Sequence, residues 1–200
     1  MKQIWVSLFT RLENSKTPRL IRCLIIFLVK HGVEALVDSI NSVQANLFQV
    51  ILSRFWIPNL KTITGYTEVK LSAVASAKLL CESPSMLDPA AEELCGKLLD
   101  GVVTLLSLPE EEKVEDEPEV PDFGEATGYQ ATIVRLHNVG KKEGDPLEEI
   151  KDPKYFSMAL LVVLSSKFSG RFPLVITRYL SPANQAALLQ LCHSYHLSIV

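Results

Sequence analysis

The 200-residue sequence has only four cysteines (Cys23, Cys81, Cys95 and Cys192), and no two of them are spaced as a CxxC pair. That scatter argues against a disulfide framework or a zinc ribbon, and it leaves the thiols as small core hydrophobes of a reducing compartment. Long hydrophobic runs are also missing. The most apolar stretch, Cys23–Val29, covers seven residues, far below the roughly 20 that cross a bilayer. Arg11 cuts short the apolar Ile4–Phe9, so no secretory core forms there. No membrane insertion is expected. Nor is there an excess of one charge: 20 basic against 23 acidic side chains leave a net −3, which is not the basic field of a nucleic-acid binder.

Catalytic signatures are absent as well. The sequence holds no GxxxxGK[ST], GxGxxG, GxSxG or HExxH, the patterns that would place a phosphate, a dinucleotide, a nucleophilic serine or a zinc ion. Gly140-Lys141-Lys142-Glu143-Gly144-Asp145 lacks the spacing and hydroxyl of a phosphate loop and reads as a turn. His193 and His196 stand three apart on one helix face, but no carboxylate or second cysteine lies near them in sequence, so a metal site is not expected. His31 and His137 sit near helix ends, where an imidazolium favours the C-terminal dipole. The closing Ser198-Ile199-Val200 is too short to signal a carboxylate-capturing groove. No enzyme activity and no cofactor are expected.

What is present is helix after helix. Hydrophobic residues make up 48% of the chain, and they recur at helical spacing. Phe48, Ile51, Leu52, Phe55 and Trp56 form one stripe, and Cys95, Leu98, Leu99, Val102 and Leu106 a second. Phe156, Ala159, Leu160, Val163 and Leu164 form a third, and Leu188, Leu191, Cys192 and Tyr195 a fourth. Thr17-Pro18, Asp88-Pro89, Asp145-Pro146, Asp152-Pro153 and Ser181-Pro182 each pair an N-cap with a proline at the first helical position. Asp145 with Glu148 suits a capping box. Gly32, Gly65, Gly140 and Gly170 stand where runs end, as C′ glycines do. These signals predict helices at about 3–13, 17–31, 34–43, 45–63, 67–82, 88–107, 127–138, 154–169, 172–180 and 182–197, with no strand. Helix pairs about 40 residues apart suit HEAT-like repeats, while periodicity alone leaves a plain helical bundle open.

One segment departs from this pattern. Between 110 and 125 stand Glu110, Glu111, Glu112, Glu115, Asp116, Glu117, Glu119, Asp122 and Glu125 against a single cation, Lys113. The net −8 here leaves +5 on the remainder. With Pro109, Pro118 and Pro121 this reads as an extended connector between helical repeats at 1–108 and further helices at 127–200. It is either a solvated loop or an acidic strip that meets a basic partner. The partner-binding candidates are Glu110, Glu111, Glu112, Glu115, Asp116 and Glu117. Calcium is disfavoured because the acids lack the loop pattern with a central glycine.

Several stretches carry a resemblance. They are Leu8–Thr17, Trp56-Ile57-Pro58, Lys78–Pro84, the acidic connector, Gly128-Tyr129-Gln130, Gly140–Pro146, Ser169-Gly170-Arg171 and Ala183-Asn184-Gln185. In these the chain resembles the C-terminal region of the exportin-2 (cellular apoptosis susceptibility) family of importin-beta-type receptors, with wording closest to plant members. The resemblance implies an all-α fold, an alpha-alpha superhelix of HEAT/ARM-like repeats, present here as a C-terminal fragment. It also implies a receptor that carries importin-alpha to the cytoplasm together with Ran-GTP, shuttles between nucleus and cytoplasm through the nuclear envelope, and is not an enzyme. Members of that family are several times longer, and the helix around Arg22–Lys30 is about one turn shorter than the resemblance leads one to expect. A truncated helical-repeat scaffold without export activity is the alternative. In the full receptor Ile4, Trp5, Leu8 and Phe9 would pack on a preceding repeat, so an exposed apolar face is expected on the first helix of this chain.

Overall fold

The computed structural model describes residues 17–109, 146–168 and 170–199. Helices expected at 3–13 and 127–138, the apolar face Ile4–Phe9, the caps at Asp145 and Gly140, and the whole acidic run lie outside the described residues. Within them the chain is helical, with no strand.

The chain opens with α1 (Thr17–His31) and α2 (Val33–Asn41). Gly32 separates them with φ 88°, and its N–H bonds back to Leu28 O at 2.8 Å. That left-handed turn closes α1 as a C′ glycine does. Next, α3 (Leu47–Ile51), a π-helical turn (Leu52–Trp56) and α4 (Ile57–Leu60) run on as one rod. Pro58 explains the widened turn: it has no N–H to give to the previous turn, and its ring crowds the carbonyl four residues back. After Gly65 comes α5 (Tyr66–Glu82). A short α6 (Pro84–Leu87) and a 3-10 turn (Pro89–Ala91) then lead into α7 (Glu92–Leu106). Beyond the undescribed stretch follow α8 (Pro153–Lys167), α9 (Phe172–Tyr179) and α10 (Pro182–Ser194).

The packing is that of a two-row array. In one row α5 lies between α1 and α8. In the other α7 lies between α4 and the pair α9 and α10. Cross-row contacts join α5 to α7 and α1 to the π turn and α4. Because α5 has neighbours on several sides, it is buried almost all round. Every residue from Lys70 to Leu80 except Lys78 is buried. Small residues at Ser72, Ala73, Ala75, Ser76 and Ala77 let the neighbouring helices approach closely, so α5 has no polar face to lose. The buried core runs without a break from Leu20 in α1 to Cys192 in α10.

Capping follows the sequence at three of the proline starts. Asp152 Oδ1 accepts from Tyr155 N at 2.8 Å, Asp88 Oδ1 from Ala90 N at 2.8 Å and Ser181 Oγ from Asn184 N at 3.2 Å. Other expectations are corrected. Pro146–Glu149 is a turn, not a helix start; the cap that opens α8 is Asp152, six residues on. Asp88 caps the 3-10 turn rather than a long helix, so α7 begins at Glu92. Gly65 has φ 86° but sits directly before α5, opening it instead of closing α4. Gly170 is not among the positive-φ glycines, and α8 ends at Lys167 with Phe168 as its C-cap at φ −129°. The third stripe was misaligned. Val163 is 51% exposed, whereas Met158, Leu161 and Leu164 face the core with Ser157 and Ser165. The unbroken apolar run Met158–Leu164 supports either face, and only packing on α5 chooses between them.

Candidate partner-binding surface

The six connector acids, Glu110 to Glu117, lie outside the described residues, and the described chain stops before them at Pro109 and resumes at Pro146. Leu108 and Pro109 leave α7 beside Lys151, Asp152, Pro153 and Lys154, which lead into α8. Lys154 Nζ donates to Leu108 O at 3.2 Å. The end of α7 and the approach to α8 therefore meet at one place. That place is the mouth of a cleft of about 360 Å3 whose wall includes Ile63, Val69, Ala73, Leu105 and Leu106, with Lys70, Lys151 and Lys154 supplying positive charge. Sequence reading missed this cleft. Its local signal was the lysine pair flanking Asp152-Pro153, opposite the apolar Leu105–Leu108 across 40-odd residues of chain; no periodicity argument brings those two together.

The other candidates stay apart. His193 is in α10, and His196 lies just past its end with φ 53°; both are exposed. Among the described residues no three His, Cys, Asp or Glu side chains gather in a way that could hold a metal ion, and no single described helix is long and apolar enough to cross a membrane. The four thiols are free. Cys95 and Cys192 are buried as expected, whereas Cys23 is exposed on α1, because the core face of that helix is Leu20, Ile21, Leu24, Ile25 and Leu28. Burial pushes the Cys81 thiol up to about 12 and the Cys95 thiol up to about 11, so neither is a nucleophile near neutral pH.

Residues from the resembling stretches hold neighbouring helices together. Trp56, fully buried, donates from Nε1 to Ser76 Oγ at 2.9 Å, tying the π turn to α5. Asn184 Nδ2 reaches Asp100 Oδ1 at 2.7 Å, Asp100 O at 3.0 Å and Thr104 Oγ1 at 2.9 Å, while Ser181 N donates to Asp100 Oδ1 at 3.0 Å. This pins the start of α10 on α7. Arg171 Nε and Arg178 Nη1 bracket the Glu92 carboxylate at 3.4 and 2.9 Å, and Arg171 Nη2 also donates to Asp88 O at 3.2 Å. Glu92 opens α7, so its charge also favours the positive end of that helix.

Where the resembling stretches are described they include inter-helix locks, a likeness of architecture, and the family comparison agrees. The family model described as CAS/CSE protein, C-terminus, matches residues 1–191. The chain belongs to the CAS/CSE family. Mouse Exportin-2 is 34% identical to it over 185 residues, which is 90% of this chain and 19% of that protein. Human Exportin-2 gives the same identity and coverage. Xenopus laevis Exportin-2 is 33% identical over 199 residues, 97% of this chain and 20% of that protein. This CAS/CSE chain thus spans about a fifth of the length of the curated relatives it matches.

Proposed function

We propose that this chain forms the C-terminal part of a nuclear export receptor that carries importin-alpha to the cytoplasm with Ran-GTP. The observation that carries the reading is membership of the CAS/CSE family across residues 1–191. The two-row helical array supports it physically. Stacked helix pairs make long surfaces that grip folded protein partners, and their neighbours stabilise one another only locally. The reading implies nucleocytoplasmic shuttling and no catalytic step of the chain's own, in line with a sequence that has no nucleotide or nucleophile motif. The acidic segment from Glu110 to Glu117 is the proposed contact for a basic partner surface, acting on association rate and salt sensitivity more than on raw affinity.

The 19–20% share of the relatives' length favours a second reading: a helical-repeat scaffold that keeps the fold without export activity. Multivalent gripping is lost when most of the superhelix is missing. A pull-down with importin-alpha, with and without Ran held in its GTP state, separates the two. The 200-residue chain alone should retain either ligand weakly, and a receptor several times longer that contains it should retain importin-alpha only with Ran-GTP. If the longer receptor captures no importin-alpha under either condition, the scaffold reading stands and the export reading is wrong.

A further inference from the structure

The helix α10 is held differently at its two ends. Along its length it is thinly buried: within Pro182–Ser194 the buried residues are Leu188 and Cys192, whereas α7 is buried over most of its length. Its main helical neighbour is α7, and Leu189 on its outer side is 71% exposed. With so little apolar area sealed beneath it, the fixing of α10 falls to its ends. At the start, Ser181 and Asn184 bind the Asp100 carboxylate and Thr104 through bonds of 2.7 to 3.0 Å. Those to the carboxylate are charge-assisted, the stronger class.

At the far end the tie is looser. His196 has φ 53°, the left-handed region that a residue with a Cβ enters at a cost. Tyr195, Leu197 and Ile199 are half-buried against the core, while His196 and Ser198 between them are exposed, the alternation of an extended strap. Tyr195 Oη donates to Asp152 Oδ1 at 3.4 Å, and its ring meets that of Tyr155 edge-on at 5.7 Å. Both partners stand at the start of α8, in the other row. The strap therefore ties the end of α10 across the rows.

We infer that α10 is a flap, hinged at Ser181–Asn184 and latched at Tyr195, which opens from its latched end while the rest of the array stays folded. Opening breaks the long Tyr195 bond and the aromatic contact, relieves the left-handed turn at His196, and uncovers Leu188 and Cys192. The bonds to Asp100 and Thr104 hold throughout. Release of the tie lets the two rows shift against each other at this end, a local change of curvature in an array whose elements contact only their neighbours.

Thiol labelling with iodoacetamide, read by mass spectrometry on the full 200-residue chain, tests this. Cys192 lies in the latched half of the flap, and Cys95 is buried on α7, outside it. With each thiol normalised to its rate in the unfolded chain, Cys192 should be labelled faster than Cys95. Urea below the unfolding transition should leave the Cys192 rate nearly unchanged, since a local opening exposes little surface, while the Cys95 rate climbs. Tyr195→Ala should speed Cys192 labelling by about tenfold, through loss of an aromatic contact and a hydrogen bond, and leave Cys95 as it was. Tyr155→Ala, which removes the other ring, should act in the same direction. If a variant does not fold, the urea series on the native chain decides alone. Three results would overturn the inference: Cys192 labelled no faster than Cys95 and with the same urea dependence, no gain at Cys192 in either variant, or an equal gain at Cys95.

Discussion

Two glycines of the same helix, α7, should respond in opposite ways to the same substitution. A Cβ built on Gly96 overlaps the Cβ, Cγ and Cδ2 atoms of Tyr179 in α9. Two of those atoms sit at the root of the side chain, so no rotamer change clears them and α9 itself must move. A Cβ on Gly101 meets Leu60 Cδ1 at 2.8 Å, and its next neighbours in that side chain lie at 3.7 and 3.8 Å. There the atom that must shift is a methyl at the far end of a flexible chain, so the backbone of α4 can stay where it is. Either change to alanine gains about 1 kcal/mol of helix propensity. Overpacking against a fixed backbone costs about 3 kcal/mol or more, at the upper end of its usual range. Gly96→Ala should therefore lose about 2 kcal/mol net, and Gly101→Ala should lie between neutral and about 1 kcal/mol more stable. Urea unfolding followed by far-UV circular dichroism reads both, and at this chain length the melting temperature of Gly96→Ala should fall by about 4–8 °C. Tyr179→Gly removes all three overlapping atoms, so adding Gly96→Ala in that background should stabilise. If Gly96→Ala is as stable as Gly101→Ala in the native background, the close approach of α7 and α9 is wrong.

Other outcomes follow from named contacts. Ser157 Oγ is buried with no hydrogen-bond partner, so Ser157→Ala should raise stability by about 1 kcal/mol, seen as a higher urea midpoint with unchanged slope. Asn184→Ala removes hydrogen bonds to the Asp100 carboxylate and Thr104. It should cost about 2 kcal/mol and speed amide exchange in Pro182–Ser194 before the other helices. Cys81 and Cys95 are raised from an ordinary 9.0 to about 12 and about 11 in the folded chain. The stability they contribute is complete below pH 9 and is lost as pH rises toward 11 to 12, because the unfolded chain ionises first. The slope reaches about 1.4 kcal/mol per pH unit for each thiol. A Cys81→Ala, Cys95→Ala double variant should show a flatter decline above pH 9 than the native chain, and equal slopes would show that the thiols are not shielded. Cys23, exposed, should be the first thiol alkylated at pH 8.

The all-helical class and most helix positions were legible because their signals are local. Thr17–His31 falls where periodicity placed it, and Asp152 and Ser181 cap the helices they precede. What eluded the sequence depended on partners. Pro58 marks a local disturbance, yet nothing local shows that Trp56 of the widened turn reaches Ser76 in the neighbouring row. The stripe of α8 slipped because an apolar run of seven residues has no period of its own, and α5 selects the face. The cleft was invisible for the same reason, since Val69, Leu106 and Lys154 meet only after α8 stacks on α5. Motif likeness pointed to the family through residues such as Arg171 and Asn184, which the structure shows to be locks between helices. Such residues report the architecture.

The most direct test of the export reading is a graft. Replacing the C-terminal fifth of a full-length exportin-2 with residues 1–200 and measuring importin-alpha affinity with and without Ran-GTP asks whether this chain can act as the C-terminal arm. Reciprocal coupling between two ligands that stabilise one state is typically 5- to 150-fold. The account predicts that the graft binds importin-alpha at least about fivefold more tightly with Ran-GTP than without. A folded graft that binds importin-alpha equally with and without Ran-GTP, or not at all, would contradict it.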